Sequence, residues 1–209
     1  MTFEELKALD HQYTMQTYGR FDVALDHGKG ATLYGLEGEV YTDFASGIGV
    51  ASLGYGHPAW VKAVSEQAQK LQHASNLFYT EPYAKVAEKL CKRTGMASVF
   101  FANGGGEANE GIIKLARKYS FDKYGMGRST IITLHNSFHG RTITTLQATG
   151  QDVFHQYFFP FTEGFRYADA NDLDSVKAQA DDTTCAVMLE LIQGEGGVLP
   201  LDKDFIQAL

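Results

Sequence analysis

The sequence contains few of the residues that mark disulfide-rich, collagen-like or disordered proteins. Its 209 residues include only two cysteines, four prolines and one tryptophan. It also lacks a run of roughly 18 apolar residues that could cross a membrane, and its first residues do not show the pattern of a secretory signal. We therefore expect a cytoplasmic protein without a membrane-spanning segment.

Excess positive charge is absent as well. The formal net charge is −7, and lysine and arginine form no long run that could follow a phosphate backbone, so nucleic acid is not the expected partner. Cys91 and Cys185 lie in apolar patterns, which favours two buried, reduced thiols over a metal site or a nucleophile.

Hydrophobic residues make up 44% of the chain and charged residues 21%, as in globular proteins. Before about residue 96, the pattern predicts a β-hairpin with strands over 32–36 and 40–44. A helix is predicted to begin at Pro58, with Trp60 and Val64 on one face. A second is predicted to begin near Thr80 and to end at Gly95.

After residue 96, apolar strands alternate with helices. Strands are predicted over 99–102, 130–134 and 185–192, with a helix over 107–120. The expected apolar face of this helix contains Ala108, Ile112, Leu115, Ala116 and Tyr119. Such continuously apolar strands favour the α/β class, with a mainly parallel sheet and helices on both faces. We divide the chain into an N-terminal helix and hairpin segment, 1–57, and an incomplete large α/β domain, 58–209.

Three consecutive glycines, 104–106, join the first of these strands to the helix. Glycines at the start of a helix allow a phosphate to approach the free backbone N–H groups, although they also suit a simple tight turn. Known nucleotide motifs do not fit. Asn109 replaces a glycine of the dinucleotide fingerprint, and Ile112 and Ile113 replace the Lys and Ser/Thr of a P-loop.

Four segments in order carry a resemblance to a known family: LYGLEGEVYTDFASGIGVASLGYGHP, FANGGGEANEGIIKLARKY, NSFHGRT and GEGGV. Together they resemble the class III, fold-type I aminotransferases that use pyridoxal 5'-phosphate, and the acetylornithine aminotransferase branch in particular. The resemblance covers essentially the whole chain.

The resemblance implies cofactor contacts for four residues. Gly105 and Gly106 would hold the cofactor phosphate through their N–H groups, Phe138 would stack on the pyridine ring, and Glu190 would lie close to the cofactor. Relatives usually have a hydroxyl residue at position 104 and alanine at 106, so the three glycines depart from the family pattern and weaker cofactor retention is a possible result.

Two further residues would bind substrate. Arg141 matches the guanidinium that grips the substrate α-carboxylate, a role that suits the planar fork of arginine. Glu195 matches an acidic residue that pairs with a downstream arginine and yields to a dicarboxylate substrate. His139 is given a structural role, because proton transfer in this family belongs to the lysine that bears the cofactor.

The implied reaction moves an amino group, with N-acetylornithine as donor and 2-oxoglutarate as acceptor, in arginine biosynthesis. The resemblance also implies a homodimer and places the Schiff-base lysine beyond Leu209. Lys203 is rejected for that role, so no catalytic residue is expected in this chain and the chain alone should not complete transamination. The alternatives are ornithine or another ω-aminotransferase, an aminomutase or decarboxylase, and a non-catalytic truncated product.

Overall fold

The computed structural model of the protein describes residues 1–209 and contains two compact units, Met1–Ala84 and Lys85–Leu209. This division falls later in the chain than the predicted boundary at residue 57. The assignment of residues 58–209 to one cofactor-binding domain stays a prediction. None of the helices combines the length and the apolar character that crossing a membrane would require.

The first unit opens with helix α1 (Phe3–Tyr13), which begins at a reciprocal cap between Thr2 and Glu5. An antiparallel sheet follows, with strands β1 (Leu25–Lys29), β2 (Thr32–Gly35) and β3 (Val40–Thr42) in that order. The predicted hairpin is confirmed as β2 and β3. Strand β1 was not predicted, because its sequence LDHGK has no apolar alternation.

Two longer helices follow a single turn, α2 (Ser46–Gly49). They are α3 (Pro58–Lys70) and α4 (Glu81–Thr94). Pro58 occupies the start of α3, and Gly95 has a φ of 77° directly after α4, so the predicted start and stop are confirmed. The apolar residues Trp60 and Val64 of α3 are solvent-exposed.

The second unit is built on a parallel sheet. Strand β4 (Thr130–Leu134) lies at its centre, between β5 (Phe165–Ala168) and β6 (Thr184–Val187). The remaining elements are α5 (Gly105–Tyr124), α6 (Ile143–Ala148), α7 (Leu173–Gln179), the antiparallel pair β7 (Ile192–Gln193) and β8 (Leu199–Pro200), and α8 (Lys203–Ala208). The α/β class is confirmed.

Helices cover both faces of this sheet. Successive side chains of β4 point to opposite faces, and the apolar residues on each face are buried by helices. Ile131 packs with Ile113 of α5 on one face. Ile132 packs with Val176 of α7 and Phe205 of α8 on the other. The site described below lies at the carboxyl ends of these strands, the usual ligand edge of a parallel sheet.

Two predicted strands are wrong in part. Residues 99–102 form no strand, because their backbone pairs with neither edge strand of the β5-β4-β6 sheet. The predicted strand over 185–192 is divided: β6 ends at Val187, and β7 begins only at Ile192. In between, the Glu190 carboxylate accepts hydrogen bonds from the N–H groups of Phe138 and Gly194.

The predicted inner face of α5 is also wrong. Ile112, Leu115 and Tyr119 are all at least half exposed, whereas Ile113 is 2% exposed and faces the sheet. The buried side of the helix also includes Ser120, whose hydroxyl donates to the carbonyl of Arg128 at 2.7 Å. Polar residues that bond to backbone therefore share the inner face, which hides it from a hydrophobic pattern.

Candidate active site

The glycine turn forms the beginning of α5. Gly104 is the N-cap and makes no side-chain cap, and Gly105 and Gly106 occupy the first turn. The first N–H groups of a helix have no partner within it, and the helix dipole gives them partial positive charge. The Glu107 carboxylate accepts from the N–H of Asn103 at 2.8 Å and so holds the turn that precedes these donors.

Neither backbone strain nor crowding requires glycine at positions 104 and 105. Neither has a positive φ, and a Cβ atom at either position would meet nothing within 4 Å. Gly106 also has no positive φ, and a Cβ there would make an ordinary contact with Thr142 at 3.7 Å. Neither the backbone conformation nor the surroundings therefore require glycine at positions 104 and 105, and the start of α5 is open at both.

Phe138 and Arg141 follow the carboxyl end of β4. The Arg141 guanidinium carbon lies 5.7 Å from the centre of the Phe138 ring, a cation–π distance. The Phe138 ring also meets Phe154 edge-on, with the ring centres 6.1 Å apart. Phe138 is half-buried and Arg141 is exposed.

Glu190 lies beyond the end of β6 and connects two loops. One carboxylate oxygen accepts from the N–H of Phe138 at 2.9 Å, and the other accepts from the N–H of Gly194 at 3.3 Å. Glu190 thus lies beside the Phe138 backbone, and its direct partners are backbone groups. Its predicted proximity to the cofactor stays a prediction. Glu195 is exposed in the turn between β7 and β8.

Sequence reasoning missed two amides that join the loops after β4 and β6. Gln193 is buried and donates to the carbonyl of His135 at 2.9 Å. Asn136 donates to the carbonyl of Gly196 at 2.8 Å. Nothing in the spacing of these residues marks them, because each bond joins positions far apart in the chain.

His139 lies beneath the site and is only 3% exposed. Its Nε2 atom has no hydrogen-bond partner, and burial lowers the pKa of the imidazole to about 4. The ring is therefore neutral at pH 7, which agrees with a structural role and does not suit a proton donor.

A cleft of about 470 Å³ opens beside these residues, and its lining includes Phe138, His139 and Glu190. Its size falls within the usual range for small-molecule sites. Asn109 and Ile113 of α5 also line the cleft, whereas Gly105, Gly106 and Arg141 lie outside its lining. An aromatic ring and the N–H groups at a helix start are the groups that a phosphorylated ring such as pyridoxal phosphate needs. The structure thus places Gly106, Phe138, Arg141 and Glu190 around one strand edge, with Gly105 adjacent.

The profile of the aminotransferase class-III family matches residues 13–209. An acetylornithine aminotransferase from Haemophilus ducreyi is 57% identical over the whole chain, which covers 53% of that protein. The chain therefore spans about half the length of the curated relatives that it matches.

Two solved structures show the same backbone arrangement. An ornithine aminotransferase from Toxoplasma gondii, whose structure reveals partial occupancy of PLP at its active site, has a TM-score of 0.92 and 31% identity, covering 99% of this chain and 49% of that one. An N-acetylornithine aminotransferase from Stenotrophomonas maltophilia has a TM-score of 0.76 and 38% identity, covering 96% and 48%.

Proposed function

The chain belongs to the aminotransferase class-III family, and from this premise we propose that the protein uses pyridoxal 5'-phosphate to move an amino group from N-acetylornithine to 2-oxoglutarate. The observation that carries the proposal is the approach of the open first turn of α5 to the Phe138–Arg141 segment at one sheet edge. The 57% identity to an acetylornithine aminotransferase supports the choice of donor.

In this proposal, the N–H groups of Gly105 and Gly106 hold the cofactor phosphate and Phe138 packs against the pyridine ring. Glu190 keeps Phe138 in place through its bond to the Phe138 N–H. The cofactor, when bound, supplies the electron sink for the transfer. Neutral His139 lines the cleft below the cofactor and exchanges no protons with it.

Arg141 binds the carboxylate of each substrate in turn. Its guanidinium can present two parallel N–H donors to a carboxylate. Its position over Phe138 places it beside the proposed site of the pyridine ring. Glu195 is the proposed acidic residue that pairs with a downstream arginine and releases it when a dicarboxylate binds. This exchange would allow one site to accept both the donor and 2-oxoglutarate.

We propose that no lysine within residues 1–209 bonds to the cofactor. Lys114 lies nine residues along α5 from Gly105, or about 13 Å along the helix axis, and Lys118 lies one turn farther. Lys203 begins α8, which packs on the opposite face of the sheet from α5.

We further propose a cytoplasmic homodimer. Cys91 and Cys185 are free and half-buried, which is compatible with a reducing compartment. Leu115 and Tyr119 are exposed apolar residues of α5 that association would cover.

The donor can be tested by measuring glutamate formation from 2-oxoglutarate by the full-length protein with pyridoxal phosphate. We expect the highest kcat/KM with N-acetylornithine. A preference for ornithine would instead favour the second candidate, an ornithine aminotransferase, which the likeness to the Toxoplasma gondii structure supports. Glutamate formation from neither donor would contradict the proposed activity.

A further inference from the structure

The segment that carries Arg141 is tied to α5 at both of its ends. At one end, the Asn109 side-chain amide donates to the carbonyl of His139 at 2.7 Å. At the other, the Thr142 hydroxyl donates to the Glu110 carboxylate at 2.5 Å. Two neighbouring residues of one helix thus hold the positions on either side of Arg141.

The bond to Glu110 also fixes the direction of the Thr142 hydroxyl. The same oxygen accepts from the N–H of Thr145 at 3.3 Å, as the cap of α6. A hydroxyl has one proton, and donation of that proton to Glu110 leaves the lone pairs for the Thr145 N–H. Glu110 therefore couples the start of α6 to α5.

Gly140 brings the segment against the first turn of α5. It has a φ of 137°, and a Cβ atom there would lie 3.0 Å from Cα of Gly106 and 2.5 Å from Oγ1 of Thr145. The backbone beside Arg141 is therefore in close contact with a proposed phosphate-binding residue.

We propose that Asn109 and Glu110 are positioning residues that set the distance between the Arg141 guanidinium and the phosphate-binding N–H groups of α5. This inference rests on the proposed function, because it assumes that Arg141 holds the substrate carboxylate. Asn109 and Glu110 act through the backbone of residues 139–142. Asn109 and Glu110 would contribute only by fixing the position of Arg141. Such positioning matters because a displacement of about 1 Å can reduce a rate by roughly 100-fold.

The test compares Asn109→Leu and Glu110→Met, which remove the two anchors at similar side-chain volume, in the full-length protein loaded with pyridoxal phosphate. We expect each to raise KM for both N-acetylornithine and 2-oxoglutarate by about tenfold, the effect of one lost charge-assisted or buried hydrogen bond. Affinity for pyridoxal phosphate, measured by absorption, should change much less. Amide hydrogen exchange of residues 139–142 should become faster.

Two matched variants complete the design. Glu110→Gln keeps an oxygen that can accept from Thr142 and should restore most of the substrate affinity. Lys118→Met alters an exposed residue of the same helix, paired with Asp122, and should leave all of these values unchanged. Normal KM values in both anchor variants, or an equal loss of cofactor affinity, would overturn the positioning role.

The experiments distinguish failure of the proposed function from failure of the proposed positioning role. If the wild-type protein forms no glutamate from either donor, the assigned reaction is wrong. Hydrogen exchange then decides the anchoring: unchanged exchange in Asn109→Leu and Glu110→Met would overturn it without reference to activity.

Discussion

Gly140 and Gly105 show two different reasons for a glycine. At Gly140 the φ of 137° and the nearby Gly106 backbone both oppose a side chain. At Gly105 the φ is not positive, and a Cβ atom would meet nothing within 4 Å. Gly140 is therefore needed by the fold, whereas neither the backbone conformation nor the surroundings of Gly105 require a glycine.

Replacement of Arg141 tests the role of a single side chain. Arg141→Lys keeps the charge and removes the planar fork, so in the full-length protein it should raise KM for both the donor and 2-oxoglutarate by about tenfold. Steady-state kinetics with each substrate varied measures the effect. Unchanged KM values for both substrates would rule out a carboxylate contact at Arg141.

Burial of His139 predicts a dependence of stability on pH. The folded pKa of about 4 lies below the ordinary value of 6.5, so the unfolded chain takes up the proton at higher pH. The stability due to the neutral ring is complete above about pH 6.5 and is lost as the pH falls to about 4, by roughly 3 kcal/mol at most.

Denaturant unfolding between pH 7 and 4 measures this loss against His139→Gln, which has no group that titrates in this window. The wild-type free energy of unfolding should fall more steeply than that of the variant. Parallel curves would show that His139 does not remain neutral on folding.

At the scale of elements, α5 presents two neighbouring isoleucines to different surroundings. Ile113 is 2% exposed and packs against Ile131, whereas Ile112 is 50% exposed. In the 209-residue chain, Ile113→Ala should lower the free energy of unfolding by about 2–5 kcal/mol, and Ile112→Ala by less than about 1 kcal/mol. Equal losses in chemical denaturation would mean that the inner face of α5 is assigned wrongly.

Local signals explain which elements the sequence could predict. Pro58 and Gly95 act through their own backbone preferences, so the start of α3 and the end of α4 follow from single residues. Residues 99–102 are apolar enough for a strand, but a strand also needs a neighbour, and that depends on tertiary structure. The inner face of α5 depends on tertiary structure in the same way.

Site residues could be predicted where local sequence marks them, and could not where only tertiary contacts do. Phe138, Arg141 and Glu190 could be proposed because they follow apolar strands and match a family pattern. Asn109 and Gln193 could not, because their bonds to His139 and His135 join residues 30 and 58 positions apart. No periodicity marks such a contact, and only the folded chain shows it.

At the scale of the 209-residue chain as a whole, the net charge of −7 opposes the approach of anions. The proposed cofactor and 2-oxoglutarate are anions, and N-acetylornithine carries a carboxylate beside its terminal ammonium group, so binding of these negative groups depends on local donors. The first turn of α5 and Arg141 supply such donors within one edge of the sheet. The central claim is therefore that the open N–H groups of α5 bind the phosphate.

The most direct test is a binding titration of the full-length protein with pyridoxal phosphate and with pyridoxal, which lacks the phosphate, in the wild type and in Gly105→Val. The wild type should prefer pyridoxal phosphate by at least about tenfold, and the variant should lose most of that preference while binding pyridoxal as before. The same preference in both proteins, with the fold of the variant intact, would contradict the phosphate cradle.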